Sequence, residues 1–201
     1  MSSDRPDHLP YTGDPEADAL LASEPMALLM GFLLDQQVSV QKAFSGPLEL
    51  QRRIGTIDAR AIADMDPADL DGAFRTRPAL HRFPGSMARR TRELCAVIAE
   101  RYDGDASRIW SEATDGPDLE RRLLELPGIG DMKAKALIAI LGKRFGVQLP
   151  DLDTVMPSYP TLGDVDSAQK LAEYQAMKRA YKQQLKAGGE PFDPRVVKAS
   201  T

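Results

Sequence analysis

The pentapeptide Leu126-Pro127-Gly128-Ile129-Gly130 separates two stretches of helical period, and it sets narrow limits on what the chain can become. One helix has to end, reverse and restart within these five residues. Pro127 fixes the exit direction, and Gly128 and Gly130 allow backbone torsions that a side chain would forbid. The second helix begins at once, so its first amides have no acceptors within it. With the glycine amides they make a compact anion cradle at the positive end of a helix dipole. Glycine-rich turns between helices also occur as plain connectors, so the charge around this one matters. From Arg121 to Gln148 the chain carries Arg121, Arg122, Lys133, Lys135, Lys143 and Arg144 against Glu125 and Asp131, a net +4.

The rest of the chain reads as helix and loop. Residues 26–34 (MALLMGFLL) are almost continuously apolar, which predicts a central buried helix behind Pro25, with Ser23 as a candidate cap. Ser39 is placed to cap a helix from Val40 to Ile54 that Gly55 ends. Asp66-Pro67 opens a short helix, and a longer one runs from about Ser86 to Tyr102. Asp115 or Gly116 starts the first hairpin helix, and the second runs from Asp131 to about Phe145. Residues 147–165 hold three prolines and read as an ordered loop. An amphipathic helix follows from about Asp166 to Lys186. No repeat and no strand pattern appears, so an all-α architecture is expected.

Composition removes several chemistries. Cys95 is the only cysteine, so neither an internal disulfide nor a cysteine-bound iron–sulfur cluster can form, and its apolar helical phase predicts burial. His8 and His81 are too few and too far apart to make a zinc site. No apolar run approaches the ~20 residues of a membrane span, and MSSDRPDHLP lacks a signal-peptide core. A cytoplasmic protein is the expectation.

The segment LPGIGDMKAKALIAILG (126–142) resembles the helix–hairpin–helix of the helix–hairpin–helix–GPD superfamily of DNA glycosylases, whose hairpin takes the form Leu-Pro-Gly-hydrophobic-Gly. LLDQQVSVQKA (33–43) and SMARRTRELCAVI (86–98) resemble two further segments of that superfamily, in its order and at about its spacing. With HRFPGSMA (81–88) and ILGKRFGV (140–147), the chain looks most like the small actinobacterial-type members assigned to base excision DNA repair. The resemblance covers roughly residues 24–186. It implies a two-lobed helical bundle over 24–188 with the hairpin at 116–145, a segment 1–23 packed on the second lobe, and a loose tail at 189–201.

The resemblance also implies a chemistry. A DNA glycosylase extrudes a base from the duplex and cleaves its glycosidic bond, with a carboxylate beside the developing sugar cation. Lyase-type members add a lysine two residues beyond the second hairpin glycine; here Met132 stands there. Lys133 is next, but one helical step turns a side chain by about 100°. A monofunctional N-glycosylase is therefore expected, with Met132 and Tyr159 in the pocket and Lys133 directed elsewhere. Counting from Met132, Asp151 is 19 residues on and Asp153 is 21 on. Spacing favours Asp151, and the hydrophobic-Asp-Thr pattern favours Asp153. Asp35 is expected to pair with an arginine from 86–92.

Duplex DNA is the implied partner of a monomeric, nucleoid-associated protein. Its contacts are expected from Leu126, Pro127, Gly128, Ile129 and Gly130, from Lys133, Lys135 and Arg89, and from Gln36 and Gln37. Gln36 matches the family glutamine that fills the space of the extruded base. No redox cofactor or metal ligand set is implied, although a structural Na+, K+ or Mg2+ ion at the hairpin carbonyls is possible in such folds. Two rivals stand beside this reading: a DNA-binding member without catalysis, and a helical protein-interaction module. The net charge of −4 looks unfavourable for DNA, but it is unevenly spread. Acidic residues gather in 1–24 and 56–74, while 75–101 carries +5, so the two segments expected to face DNA are basic.

Overall fold

The computed structural model describes residues 5–186, and the expected tail at 189–201 lies outside them. Among the described residues the secondary structure is entirely helical. The helices are α1 (Pro15–Ser23), α2 (Pro25–Leu34), α3 (Val40–Ile54), α4 (Ala59–Asp64), α5 (Pro67–Arg75), α6 (Pro84–Arg101), α7 (Arg108–Ser111), α8 (Gly116–Leu124), α9 (Asp131–Arg144), α10 (Leu152–Val155) and α11 (Ala168–Lys186). A 3-10 turn, Leu162–Asp164, precedes α11. No single helix among the described residues is long and apolar enough to cross a membrane.

Every residue of α2 from Met26 to Leu34 is buried, so this helix has no solvent face and the others wrap it. Close approach to α3 depends on two small residues. A methyl at Gly31 would fall 2.5 Å from the Phe44 ring, and one at Gly46 would fall 2.5 Å from Leu34. Phe44 in turn takes the edges of Tyr11 and Phe32, with ring centroids 5.3 and 5.1 Å away. The α3 ends follow the sequence reading. The Ser39 hydroxyl accepts the Lys42 amide, and Gly55 closes the helix at φ +79.

Other ends differ from expectation. Ser23 is the last residue of α1 rather than a cap of α2, and its hydroxyl turns back to the Leu20 carbonyl. Asp14 caps α1, a helix that the sequence reading left inside an undivided N-terminal segment. That segment packs α1 on α2 and α3, and buried Tyr11 reaches across to donate its hydroxyl to the Leu162 carbonyl at 2.8 Å. The loop expected at 147–165 contains one turn of helix, α10, and the 3-10 turn. Thr161 and Asp164 cap that turn reciprocally.

Cys95 is fully buried in α6, and burial pushes its thiol up to about 12, so it behaves as a small core residue. Trp110 is half-buried against the same continuous core.

The 3-10 turn seats tightly on α9. A methyl on Gly163 would lie 2.6 Å from the Ala139 carbonyl carbon, a backbone atom that cannot swing aside. Gly163→Ala is expected to cost about 1–3 kcal/mol through forced separation of turn and helix. The urea unfolding midpoint measures it, and an unchanged midpoint would refute this packing.

Candidate functional site

The hairpin joins α8 to α9. Leu126 and Ile129 point into the core, 3% and 5% exposed, and anchor the loop from below. Gly128 has φ +79 and lies against the Leu33 side chain, so both torsion and space exclude a larger residue. Gly130 differs from expectation. Its backbone is extended, at φ −102, and a methyl there would meet open space. Its value is the clear approach it leaves rather than a special torsion.

The amides of Gly128, Gly130, Asp131 and Met132 make no hydrogen bond among the described residues, whereas Ile129 donates to the Leu126 carbonyl. Four donors thus remain at the start of α9, all on exposed residues. Leu126 and Gly130 carbonyls already accept amides, and the Gly128 carbonyl accepts the Lys133 ammonium at 3.3 Å.

Beside the hairpin lies a cavity of about 550 Å³. Its walls come from Phe32 and Asp35 at the end of α2, Met132 and Lys133 on α9, the 159–162 segment, and Tyr174 and Met177 on α11. Met132 and Tyr159, both expected in a pocket, meet there, with the tyrosine hydroxyl 3.4 Å from the thioether sulfur. Met132 is 65% exposed, so it forms a rim rather than a floor. The α11 wall is fastened to the body by two reciprocal amide bonds, 2.7 and 3.3 Å, between Gln41 and Gln175.

Two ionisable groups of the cavity stand where the sequence reading did not put them. Lys133 was expected to point away, yet it lines the wall. Burial pulls its ammonium below the usual lysine range, and Arg90 and Lys178 add to this, against an opposing pull from Asp35. Asp35 was expected to pair with an arginine from 86–92. Among the described residues it has no ion pair, because Arg90 bonds the Gln36 amide oxygen instead, at 2.7 Å. Sequence alone held one hint of this: an acid ending an otherwise apolar helix needs a reason to be there.

Asp151 and Asp153 do not join this group. Both are exposed and neither lines the cavity. Asp151, at φ +54, precedes α10, and the 150–152 backbone packs on Gly116 at the far end of α8 from the hairpin. Lys135 is also drawn off, to Glu120 at 2.7 Å and the Val155 carbonyl at 2.8 Å, and ties the loop to the back of the hairpin.

Gln36 is held in place. Its amide nitrogen donates to the Leu33 carbonyl at 3.0 Å while Arg90 takes its oxygen. Gln37, adjacent, is exposed and in the left-handed region at φ +57, and its side-chain amide makes no hydrogen bond among the described residues.

The basic segments are less free than their sequence suggests. Arg101, Arg121 and Arg122 pair with Glu125 or Asp118, and Arg75 with Asp71. Arg89 is exposed and only loosely paired, 3.6 Å from Glu93. Among the described residues Arg82, Arg90 and Lys133 have no carboxylate within ion-pair distance, and Arg90 and Lys133 border the hairpin face.

No family model matches the chain, and no curated protein matches it.

His81 holds the α2 end in position. It is 2% exposed, and Nε2 donates to the carbonyls of Leu34 and Gln36 at 3.1 and 3.0 Å, while Nδ1 accepts the Phe83 amide at 3.0 Å. A second proton would have to displace that amide. Burial lowers the His81 pKa, and the two carbonyls only partly offset the effect. The unfolded chain therefore binds this proton first, near pH ~6.5. The neutral ring's contribution is complete above that pH and is lost as pH falls below it. Unfolding free energy is expected to drop on acidification through this window, ahead of the carboxylates, and His81→Gln should flatten the drop. Denaturant titration across pH checks it; an equal slope in the variant would exclude His81 as the source.

Proposed function

We propose that the chain is a base excision DNA repair protein of the two-lobed helix–hairpin–helix–GPD type, acting as a DNA N-glycosylase. The observation that carries the reading is a shared border. Met132 and Lys133 belong to the first turn of α9, where the free hairpin amides face solvent, and also to the wall of the cavity. A backbone phosphate on those amides would sit beside a space able to receive an extruded base. The resemblance of 126–142, 33–43 and 86–98 supports the same reading.

In this reading the carboxylate is Asp35. It lines the cavity with no ion-pair partner among the described residues, which leaves it available to stabilise a sugar cation and accept a proton from attacking water. Asp151 and Asp153 stay outside the cavity. Gln37 takes the part of the residue that enters the duplex, since the Gln36 side chain is already bonded at both ends. Lys133 favours a second reading, in which its half-buried amine at the cavity wall attacks the sugar and forms a Schiff base. Borohydride reduction with abasic-site DNA separates the two: hydrolysis leaves no covalent adduct, and amine attack leaves one that Lys133→Gln abolishes.

The phosphate cradle is best tested at Gly130, where a side chain meets open space, because a substitution at Gly128 would strain the fold. Gly130→Glu is expected to weaken duplex binding by about tenfold or more, from the lost amide access and the added negative charge. Thermal stability should stay close to wild type. Fluorescence anisotropy with a duplex carrying an abasic analogue, at two salt concentrations, gives the measurement. Unchanged affinity would overturn the cradle.

Asp35→Asn is expected to cut base release by about a hundredfold or more while duplex binding persists. A single-turnover assay of released base reads this, with Asp153→Asn as the comparison. A wild type that binds duplex but releases no base is the result expected of a binding-only protein.

A further inference from the structure

Eight methionines are spread along the chain, and the fold treats them unequally. Met26, Met30 and Met87 are buried, and Met65 and Met156 pack against the core. Met132 and Met177 are the exposed ones among the described residues, 65% and 39% open, and both line the cavity.

Met132 is set apart by its surroundings. It stands in the first turn of α9, between the hairpin amides and the cavity. Its thioether accepts the Tyr159 hydroxyl at 3.4 Å, a contact that joins α9 to the 159–162 segment at the cavity rim. Burial, and Asp131 nearby, hold the Tyr159 phenol above the usual tyrosine range, so the hydroxyl keeps its proton to donate. A thioether is a weak acceptor. Oxidation to the sulfoxide turns the same flexible apolar side chain into a polar one.

We propose that Met132 is an oxidation site, converted by hydroperoxides to methionine sulfoxide, and that the sulfoxide latches to Tyr159 and narrows the cavity entrance. In the oxidation a sulfur lone pair attacks the terminal peroxide oxygen. An S–O bond forms and the O–O bond breaks. The attacked oxygen gives up its proton to the departing oxygen, which leaves as water or an alcohol. Sulfur is oxidised and the hydroperoxide is reduced. The rotatable bonds of the side chain let the new oxygen turn to the Tyr159 hydroxyl. The rim then carries a polar bridge, and a flat apolar group entering the cavity has to break it. The amides of Gly128, Gly130 and Asp131 keep no new partner, so the effect falls on entry to the cavity rather than on anion binding at the hairpin. The oxidation itself needs no DNA; its effect on base release rests on the DNA reading above.

The test treats the full chain with dilute hydrogen peroxide and follows its tryptic peptides, since 123–133 and 171–178 each carry a single methionine, Met132 and Met177. Met132 is expected to gain oxygen about threefold faster than Met177, and Met30 and Met87 far more slowly. With carbon-13 at the tyrosine ζ-carbons, the Tyr159 resonance, assigned through Tyr159→Phe, should shift on oxidation and return with methionine sulfoxide reductase, while that of buried Tyr11 stays in place. Faster oxidation of Met177, or an unmoved Tyr159 resonance, overturns the inference. Base release from duplex is then compared for each protein before and after peroxide. A fall of about tenfold in wild type, reversed by the reductase and absent in Met132→Leu, supports the latch. A fall of the same size in Met132→Leu overturns it. Unchanged release with Met132 fully oxidised also overturns it and leaves the glycosylase reading standing. The tyrosine shift in a protein that releases no base from any duplex supports the latch and overturns the glycosylase reading.

Discussion

A helix with no polar face cannot sit at a surface, and α2 obliges the rest of the chain to surround it. Burying a run such as Met26–Leu34 is worth roughly 1.5–3 kcal/mol for each large side chain. Nothing else among the described residues offers an apolar segment so complete. Its small residue Gly31 lets α3 approach through Phe44, and Leu33 presses under Gly128 of the hairpin. The cavity, the hairpin and the Gln36–Arg90 contact are therefore all referenced to the last turn of one rigid element. A site built on the end of a buried helix keeps its geometry better than one on a free loop.

The parts legible in the sequence were those whose cause is local. Ser39 and Gly55 bound α3 because a hydroxyl cap and a left-handed stop act within one turn. The hairpin could be read for the same reason, through Gly128 if not through Gly130. What failed to show depends on distant packing. Lys133 was assigned by helical phase, which gives the direction of a side chain but not what stands around it. The walls that make its direction a cavity come from α11 and the 159–162 segment, far along the chain. Asp151 and Asp153 fitted a spacing, yet the Gly116 contact holds their loop on the opposite end of α8. Asp35 was assigned to an ion pair with an arginine from 86–92, but Arg90 of that segment is taken by the Gln36 amide one residue away.

Charge behaves in the same way. The positive segments of the sequence are real, but acids on the helices pair with several of those arginines, Arg101, Arg121 and Arg122 among them. Exposed pairs of this kind contribute little to stability, and their main effect is to remove field from the surface. Arg90 and Lys133, beside the hairpin amides, are among the basic residues that keep no carboxylate partner among the described residues. A small, focused field of that sort guides an anion to one place without holding the whole protein on a polyanion.

The Gln41–Gln175 pair has a consequence for how the cavity wall is held. Two neutral side chains exchange two hydrogen bonds and thereby dock α11 against α3. Neither partner titrates, and neither is screened by dissolved ions. Ionic strength that loosens contact between the hairpin and an anion therefore leaves this wall where it is. On the proposed DNA reading, affinity for a charged strand and the shape of the chamber beside it answer to separate variables, so one can be tuned while the other is conserved.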